Sequence, residues 1–484
     1  MKNYLKILFF LSCYALQALQ PASSSSSAPS KCISNINPIM NFKEFKSAVT
    51  SVQISPNNKF LAASGVDGKV IIWNLDSGKV FNTLEDDPEN SYARGVSWSP
   101  DSSKLAAIYR NKKIIIWNVD PESGRDLILG SDIGLSDIPI DVAWSPVDES
   151  LIAIAIGNNV VIYDWDPETL DINPLIILRG HTAKINSISW SPKGSRLVSG
   201  SSDKTVRIWN VKNKSELKNI SETDSVNKVS YSPDAQYIIY SMVDKTLTIL
   251  NDSYERVEKL NIFNNALALE WAPNSNLFVY GNTIGEIKIC NLEGNLVKKI
   301  KQDTPITGLC WSKDCDFLAS SSADGSVVVE PVEISIYDLL AAGIHFDFIN
   351  NELYLNNLEL TSLKGLEKIP NINMIDTLNI SFNNLKNLDN LRNLRNLKIV
   401  NLSNNKIKHI KLEDFEGLEA LEAIILNDNK IPNIDFDLQL LRNNHRMLKD
   451  LIILNNPLDS LTKLMLKQFS ESPKAKESEM SVYY

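Results

Sequence analysis

The sequence predicts a mostly β protein, in which a seven-bladed β-propeller is followed by a short α/β solenoid. Two repeat systems lead to this prediction. Seven similar segments recur at intervals of 40 to 46 residues over the first two thirds of the chain, and a four-stranded propeller blade has a period of ~40–45 residues. Beyond about residue 338, recurring asparagines lie 22 to 27 residues apart, which is typical of the coils of a short solenoid.

The N-terminus has the pattern of an export signal. Two lysines precede an apolar stretch over residues 7–19, and small residues follow it. We therefore predict a signal peptide over residues 1–22. Two alternatives stay open: Cys13 lies in a segment that resembles a bacterial lipoprotein box and would then be acylated, or the stretch is retained as a membrane anchor. The stretch is shorter than the ~20 residues that cross a bilayer comfortably.

A serine-rich segment over residues 23–35 predicts a flexible linker, because it lacks the apolar residues that build a core. Residues 36–336 are assigned to the propeller. Within each unit, alternating apolar residues mark strands, and Gly, Pro and Asp mark the turns between them. Seven related tripeptides mark the end of each unit's first strand: Ile54-Ser55-Pro56, Trp98-Ser99-Pro100, Trp144-Ser145-Pro146, Trp190-Ser191-Pro192, Tyr231-Ser232-Pro233, Trp271-Ala272-Pro273 and Trp311-Ser312-Lys313.

The last blade needs a strand from outside its own repeat, because a closed ring leaves no free sheet edge. Residues 36–42 lie in the right place to supply this strand from the N-terminal side. Residues 333–337 are the alternative, and the sequence leaves both open.

One unit carries a more specific pattern, Gly180-His181, Ser199, Asp203 and Trp209-Asn210. This pattern resembles a WD repeat, and the resemblance implies a WD-repeat β-propeller. It also implies structural roles for four side chains, which in that family form a buried hydrogen-bonded chain: His181, Ser199, Asp203 and Trp209. The chemistry suits such a chain, since a carboxylate accepts from imidazole and an indole N–H donates. The Asp position changes to Asn111, Gly157 and Ile284 in three units, so the pattern is only partly repeated.

The shorter repeat is similar to the leucine-rich repeat, L-x-x-L-x-L-x-x-N-x-L. Four units match it at Asn383, Asn405, Asn429 and Asn456, whose side chains we expect to bond backbone groups in a ladder between coils. Residues 337–469 are assigned to a leucine-rich-repeat domain with helical caps at both ends. Residues 470–484 are polar and predict a flexible tail.

Composition and motifs exclude several function classes. The net charge of −9 and pI of about 5.2 argue against a nucleic-acid partner. The sequence contains no G-x-S-x-G, P-loop or H-E-x-x-H motif, so we predict that the chain is not an enzyme and binds no cofactor or metal. His181 is structural, and the other histidines are widely spaced. Cys310 and Cys315 either pair with each other or stay as buried thiols.

Two surfaces are predicted to bind partners. The top face of the propeller receives the residues around the start of each first strand, where Tyr92, Arg94 and Lys184 have the chemistry of interface hot spots. The concave sheet of the solenoid presents the residues between its core leucines. The candidates on that sheet are Tyr354, Asn379, Phe382, Asn401, Ile425 and Ile452.

These observations favour a non-catalytic scaffold or adaptor that binds proteins or peptides. The export signal predicts that it is secreted or held in the periplasm or cell envelope, without membrane insertion after signal cleavage. In one form of this hypothesis, the exported adaptor binds proteins of a host organism. The alternatives are an envelope-resident propeller subunit of a transport or assembly complex, a mimic of a ubiquitin-ligase substrate receptor that recruits through the helix near Tyr337, and an enzyme with a site in the propeller channel.

Overall fold

The structure is a computed structural model. It describes residues 40–85, 92–119, 135–166, 169, 171–273, 275–344, 346, 348–471 and 480–484. The predicted signal peptide and linker, Cys13 and His345 lie outside these residues. The chain from Ile36 to Tyr484 forms one compact unit, in which radial sheets are followed by a solenoid.

Seven radial sheets make up the propeller, and we number them blade 1 to blade 7 in chain order. Blades 1, 3, 4, 5 and 6 each contain four consecutive strands, and three strands of blade 2 are described. The strands are β1 Met40–Phe42; β2 Val49–Ile54, β3 Phe60–Gly65, β4 Lys69–Asn74 and β5 Lys79–Glu85 (blade 1); β6 Ala93–Trp98, β7 Lys104–Tyr109 and β8 Lys113–Asn118 (blade 2); β9 Pro139–Trp144, β10 Leu151–Ile156, β11 Asn159–Trp165 and β12 Ile172–Arg179 (blade 3); β13 Ile185–Trp190, β14 Arg196–Ser201, β15 Thr205–Asn210 and β16 Ser215–Ser221 (blade 4); β17 Val226–Tyr231, β18 Tyr237–Met242, β19 Thr246–Asn251 and β20 Arg256–Asn261 (blade 5); β21 Ala266–Trp271, β22 Leu277–Asn282, β23 Glu286–Asn291 and β24 Leu296–Lys301 (blade 6); and β25 Ile306–Trp311, β26 Phe317–Ser322 and β27 Val327–Pro331 (blade 7).

The N-terminal strand closes the ring. β1 pairs antiparallel with β27, and Met40 lies opposite Val329. Each inner strand contacts the next around the ring, and β25 contacts β2 to complete it. The alternative, residues 333–337, does not form this strand. Instead Ser335 caps a short helix, because its hydroxyl accepts from the Asp338 N–H while its own N–H donates to Asp338.

The serine that recurs in the related tripeptides has a structural role. The Ser55 hydroxyl accepts from the Phe60 N–H at 2.9 Å, and so fixes the turn between the first two strands of blade 1. The same bond recurs from Tyr237 to Ser232 at 2.8 Å and from Phe317 to Ser312 at 2.9 Å. A buried hydroxyl that satisfies a turn N–H explains why the sequence repeats serine at this point.

The solenoid forms one sheet of seven short strands. Its first two strands pair antiparallel and the rest pair parallel. The strands are β28 Phe348–Ile349, β29 Glu352–Tyr354, β30 Thr377–Asn379, β31 Ile399–Asn401, β32 Ala423–Ile425, β33 Asp450–Ile452 and β34 Ser481–Tyr483. The helices are α1 Ile336–Ala341, α2 Leu438–Asn444 and α3 Ser460–Glu471, with 3-10 helices at Leu366–Lys368, Ile372–Met374, Leu391–Asn393 and Leu412–Phe415.

The end of the chain corrects one prediction. We expected a flexible tail over residues 470–484, but β34 pairs with β33 and places Tyr483 opposite Ile452. The polar composition misled us, because a parallel edge strand is held by its backbone and needs few apolar side chains. Ser481–Tyr483 therefore extends the solenoid sheet by one strand, while residues 472–479 of the predicted tail lie outside the described residues.

Asparagine side chains link the coils of the solenoid. Asn405 donates to the carbonyls of Ile380 and Leu402, each at 3.0 Å, and accepts from the Leu385 N–H at 3.0 Å. Asn429 repeats this arrangement one coil later. Each buried amide thus joins two successive coils, which is why asparagine recurs with the period of the solenoid.

A continuous apolar core joins the propeller to the solenoid. Residues of blades 6 and 7, including Leu309 and Trp311, belong to the same buried cluster as Leu339 of α1 and Leu360 and Leu385 of the solenoid. Such a shared core holds two modules in a fixed orientation, in contrast to modules on a flexible linker.

Candidate interaction surface

The four WD-type side chains of blade 4 form one hydrogen-bonded chain. Trp209 Nε1 lies 2.8 Å from Ser199 Oγ, and Ser199 Oγ lies 2.8 Å from His181 Nε2. His181 Nδ1 lies 2.9 Å from Asp203 Oδ2. Because a carboxylate only accepts, Nδ1 carries the proton and Nε2 accepts from the serine hydroxyl. The donors therefore run in one direction from the indole to the carboxylate.

Electrostatics keep this chain in one protonation state. Burial lowers the pKa of His181, against the opposing influence of Asp203, so the imidazole is neutral. Burial opposes ionisation of Asp203, but hydrogen bonds from Thr205, Thr182 and His181 together lower its pKa to about 2. A neutral histidine fixed between serine and aspartate locks the blade and has no free nitrogen to offer a substrate.

Blade 5 uses different chemistry at the same positions, and our motif search missed it. Glu222 occupies the position of His181, and Tyr240 occupies that of Ser199. The Tyr240 hydroxyl donates to Glu222 Oε1 at 2.5 Å, and Arg256 lies 2.6 Å from the same oxygen. The position itself was the available signal, because the residue four before the inner strand begins the hydrogen-bonded chain of both blades although its type differs.

Blade 7 contains a third version of the lock. Gln302 takes the histidine position and donates to Ser320 at 2.7 Å. Ser322 donates back to Gln302 at 2.8 Å. In blade 1 the serine position is Ala63, and the buried indole N–H of Trp73 has no partner among the described residues.

The top face of the propeller is formed by the loops that precede each inner strand and by those between the second and third strands. Every inner strand carries a β-bulge at its second residue, and a bulge re-aims its side chain. The seven bulge residues are Thr50, Arg94, Ile140, Asn186, Asn227, Leu267 and Thr307. Four of them line the channel, namely Thr50, Arg94, Ile140 and Thr307. Arg94 is their only charged member.

Three bulge side chains tie one blade to the next. Thr50 donates to the carbonyl of Ala93 at 2.8 Å. Asn186 donates to Val226 and Asn227 to Ala266, each at 2.7 Å. The bulge position is thus built to reach the neighbouring blade at the rim of the channel.

The central channel encloses about 600 Å³ and is lined by all seven inner strands. Asp141 in its wall accepts from the backbone N–H groups of Val142 and Ile188. Burial raises the pKa of the Glu270 carboxyl to about 7 and that of the Cys310 thiol to about 12. The Cys310 thiol is therefore protonated at neutral pH and is not an activated nucleophile.

The cysteines in the described chain are separate thiols. Cys310 accepts from the Ile54 N–H of blade 1 at 3.3 Å, whereas Cys315 faces Glu359 of the solenoid at 3.6 Å. The two therefore point into different environments and are not paired. Among the described residues, no group of three or more His, Cys, Asp and Glu side chains is arranged to hold a metal ion. No helix in the described part of the chain has the length and apolar character of a membrane span.

The predicted top-face residues fall into two places. Tyr92 is exposed, and the Arg110 guanidinium lies 5.3 Å from the centre of its ring. Arg94 is half-buried beside them and lines the channel. Lys184 is exposed on blade 4, two blades away. The structure thus groups Tyr92 and Arg94 with Arg110, which we had not named.

The predicted docking stripe on the concave sheet is wrong at its centre. Ile425 is only 2% exposed, Ile452 is 3% exposed and Asn401 is buried, although Tyr354 is exposed. The register sets Ile425 between Asn401 and Ile452 in one row, so same-row neighbours cover its flanks. Sequence spacing placed these residues at equivalent positions of successive strands, but it did not predict the accessibility of their side chains.

The two remaining candidates on that sheet serve its turns. Asn379 Oδ1 accepts from the N–H and hydroxyl of Ser381, at 3.0 and 2.7 Å. Phe382 is half-buried in the turn that follows, with a φ of 56°. Both residues shape the turn, so their amide and ring are only partly available to a partner.

An apolar patch that we had not predicted lies on the top face at blades 5 and 6. Phe263 is 86% exposed, and Val243 and Ile284 beside it are also exposed. Backbone bonds join their loops, from Ile262 N–H to the Lys245 carbonyl and from Thr283 N–H to the Asn265 carbonyl. We call Val243, Phe263 and Ile284 the apolar patch.

The patch replaces a polar pair found in other blades. In blade 4 the Thr182 N–H donates to Asp203 at 2.9 Å, and in blade 5 the Thr223 hydroxyl donates to Asp244 at 2.8 Å. Phe263 and Ile284 occupy these same two positions in blade 6. Blade 6 therefore lacks the carboxylate acceptor of this pair, and the aromatic side chain at the donor position is exposed to solvent.

Comparisons with known proteins agree with this architecture. A family model described as the IFT122 first beta-propeller matches residues 139–330, a WD domain, G-beta repeat model matches residues 36–74, and a leucine rich repeat model matches residues 373–431. The human F-box-like/WD repeat-containing protein TBL1X is 24% identical over 154 residues, 32% of this chain and 22% of that protein. The ribosome biogenesis protein BOP1 homolog of Monosiga brevicollis is 53% identical over 38 residues, 8% of this chain and 5% of that protein.

The chain spans less than a quarter of the length of these two relatives, so they inform the repeats and not the whole proteins' activities. The repeats themselves are shown twice, by the family models and by the radial sheets and asparagine ladder. The chain is a WD-repeat β-propeller protein that carries a leucine-rich-repeat domain after the propeller.

Proposed function

We propose that the chain is a non-catalytic interaction scaffold and that the top face of its propeller docks a partner protein. The observation that carries this proposal is Phe263, an aromatic side chain that is 86% exposed on the top face. Aromatic residues dominate the energetics of protein interfaces, because they bury a large area with few rotatable bonds. Val243 and Ile284 extend the contact area around it.

The chemistry of the blades supports a non-catalytic role. The imidazole of His181 is held between Ser199 and Asp203, and the Cys310 thiol is protonated. Asp141 is engaged by two backbone N–H groups. These groups stabilise blades, and so the hypothesis of an enzyme site in the channel gains no acid-base pair or nucleophile from them.

We also propose that the chain acts outside the cytoplasm, as a secreted or envelope-held adaptor, with host proteins as one class of partner. Its support is the lysine-flanked apolar stretch before the linker. Cell fractionation and N-terminal sequencing of the mature protein test this point. An envelope-resident subunit would stay in the periplasmic fraction, and a chain that begins at Met1 in the cytoplasm would overturn the proposal.

The ubiquitin-ligase alternative requires a helix near Tyr337 whose apolar face is free to bind the ligase. Ile336 and Leu339 of α1 are buried in the core between the modules, which leaves a single short helix with its apolar face occupied. A recruiting helix needs that face free for its partner. We therefore favour the propeller face over α1 as the site of interaction.

Affinity capture with the full chain tests the docking face. Wild type, Phe263→Asp and Leu461→Ser are compared by quantitative mass spectrometry. Leu461, exposed on α3 of the solenoid, is the matched control. We expect Phe263→Asp to lose a defined set of partners that Leu461→Ser retains. Equal recovery from all three proteins contradicts the proposal.

A further inference from the structure

The second binding element of the top face starts from the bulge residue of blade 2. Arg94 takes the place that Thr50, Asn186 and Asn227 use to bond the next blade. Within the described chain, Arg94 has no acceptor for its guanidinium and no ion pair. Among the residues that the structure describes, this half-buried cation has no structural partner, although the same position joins neighbouring blades elsewhere in the ring.

Arg110 brings a second positive charge to the same place. It directly follows β7, and its N–H donates to the Tyr92 carbonyl at 2.9 Å. Its guanidinium packs over the Tyr92 ring. Burial, and after it the charge of Arg110, lowers the pKa of Arg94. Two like charges this close repel each other, and a bound anion between them would remove that repulsion.

The location of this pair relates it to the apolar patch. In a ring of seven blades, blade 2 lies opposite blades 5 and 6, with the channel mouth between them. Both elements lie on the same face of the propeller. A single extended segment that crosses the mouth can therefore reach both.

We propose that Arg94 and Arg110 bind a carboxylate side chain of the partner segment whose apolar side chain docks on the apolar patch. This rests on the proposed function, because it assigns the chemistry of the same docked partner. Arginine pairs suit carboxylates, since their planar donors form two parallel hydrogen bonds. Tyr92 supplies an aromatic wall beside them.

The rest of the face favours an acidic protein segment over a nucleic acid. Carboxylates occur in the top-face loops of five other blades, as Asp67, Asp137, Asp203, Asp244 and Asp324. Lysines lie beside some of them in the same loops, such as Lys204 and Lys245, so the rim has no continuous positive surface for a polyanion to follow. A protein segment with one or two carboxylates can place them at the arginine pair alone.

A random-peptide phage library selected on the full wild-type chain supplies the probe. The selected peptides are synthesised with each Asp or Glu as found and as the amide. Binding is measured to wild type, Arg94→Gln/Arg110→Gln and Lys184→Gln/Lys204→Gln. The lysine pair is the control, because it removes two positive charges from blade 4 of the same face.

We expect one acidic residue whose amide weakens binding to wild type and to the lysine control by roughly tenfold or more, and to the arginine variant by less than twofold. An equal loss on wild type and on the arginine variant overturns the inference. Circular dichroism and thermal unfolding of each variant show that the fold is retained.

Phe263→Asp separates this inference from the proposed function. If that variant binds the peptides as wild type does while the arginine coupling holds, the apolar patch is wrong and the carboxylate site stands. If it abolishes binding but no acidic residue couples to the arginines, the docking face stands and the carboxylate site is wrong.

Discussion

Lys406 Nζ of the solenoid lies 2.9 Å from Asp316 Oδ1 of blade 7, and it also donates to the carbonyl of Asp314. Lys386 approaches the second oxygen of Asp316 at 3.3 Å. A charge-assisted bond at the edge of a shared apolar core fixes the orientation of the two modules. The solenoid is thus docked on the propeller by polar contacts as well as by buried leucines.

Removing this contact will weaken the docking of the modules. Lys406→Met leaves Asp316 with only the more exposed Lys386 at 3.3 Å, and it is expected to lower the free energy of unfolding by ~1–3 kcal/mol. Urea unfolding measures the loss. Lys398→Met is the control, because the Lys398–Asp376 pair at 3.3 Å lies on an exposed surface, where such pairs contribute ~0–1 kcal/mol. Equal losses would mean that the interface contact has no special weight.

The lock of blade 4 depends on Ser199. Ser199→Ala removes the acceptor of the Trp209 indole and the donor to His181, and leaves two buried groups unpaired. We expect the free energy of unfolding to fall by ~2–4 kcal/mol. Ser202→Ala, on an exposed neighbour, should change it by less than ~0.5 kcal/mol. Thermal and urea unfolding of both variants check this prediction.

The reverse change should stabilise blade 1. Ala63→Ser gives the buried Trp73 indole N–H the acceptor that Ser199 gives to Trp209. We expect a gain of ~0.5–1.5 kcal/mol, the net value of one buried hydrogen bond. A matched Ala107→Ser in blade 2 tests whether any serine at this position has the effect. A loss of stability in Ala63→Ser would show that the hydroxyl cannot reach the indole.

Stability will depend on pH through Glu359, which is buried between the modules. Burial raises its pKa to about 7, against the bonds from Cys315 and Asn384. Because the unfolded carboxyl ionises near 4.5, the folded state binds the extra proton between pH 4.5 and 7. This contribution is complete below pH 4.5 and is lost as the pH rises to about 7.

Glu359→Gln should therefore flatten this decline, by an amount on the order of 2–3 kcal/mol. Urea unfolding at a series of pH values between 5 and 8 measures the slope. Glu419→Gln, on an exposed side chain, is the control. An unchanged slope in Glu359→Gln would place the ionised carboxylate in contact with water in the folded protein.

The closing strand has its own anchor. Phe42 of β1 is buried and stacks on Trp73 with ring centroids 4.9 Å apart. Phe42→Ala should lower the free energy of unfolding by ~3–5 kcal/mol, because it empties a packed site at the point of ring closure. Phe81→Ala, on the exposed outer strand of blade 1, should have a smaller effect in the same thermal unfolding experiment.

The features predicted correctly from sequence are those that local chemistry dictates. The Ser55 hydroxyl and the Asn405 amide satisfy backbone groups within their own repeat or the adjoining one, so they recur with a fixed period. The hydrogen-bonded pair of blade 5 was not predicted, because a bond from Tyr240 to the Glu222 carboxylate replaces the bond between serine and histidine seen in blade 4. A residue-type motif cannot detect such a replacement, whereas a position can.

The solvent exposure of individual side chains was the property that we predicted least well from the sequence. Ile425 and Phe263 are both apolar residues at positions where the repeat pattern predicts exposure to solvent. Ile425 is nevertheless buried, whereas Phe263 is 86% exposed. Their exposure depends on neighbours distant in sequence, through strand register in the solenoid and loop packing on the propeller rim. The arginine pair was predicted only in part. Sequence analysis identified Tyr92 and Arg94 but not Arg110, which directly follows the neighbouring strand and contacts Tyr92.

The pairing of Met40 with Val329 also constrains how the molecule can be made. Nearly the whole propeller sequence separates these two residues. During synthesis the ring therefore stays open, with unpaired strand edges at both ends, until the last blade has emerged from the ribosome. Loss of N-terminal residues beyond Met40 would remove the strand that closes the ring.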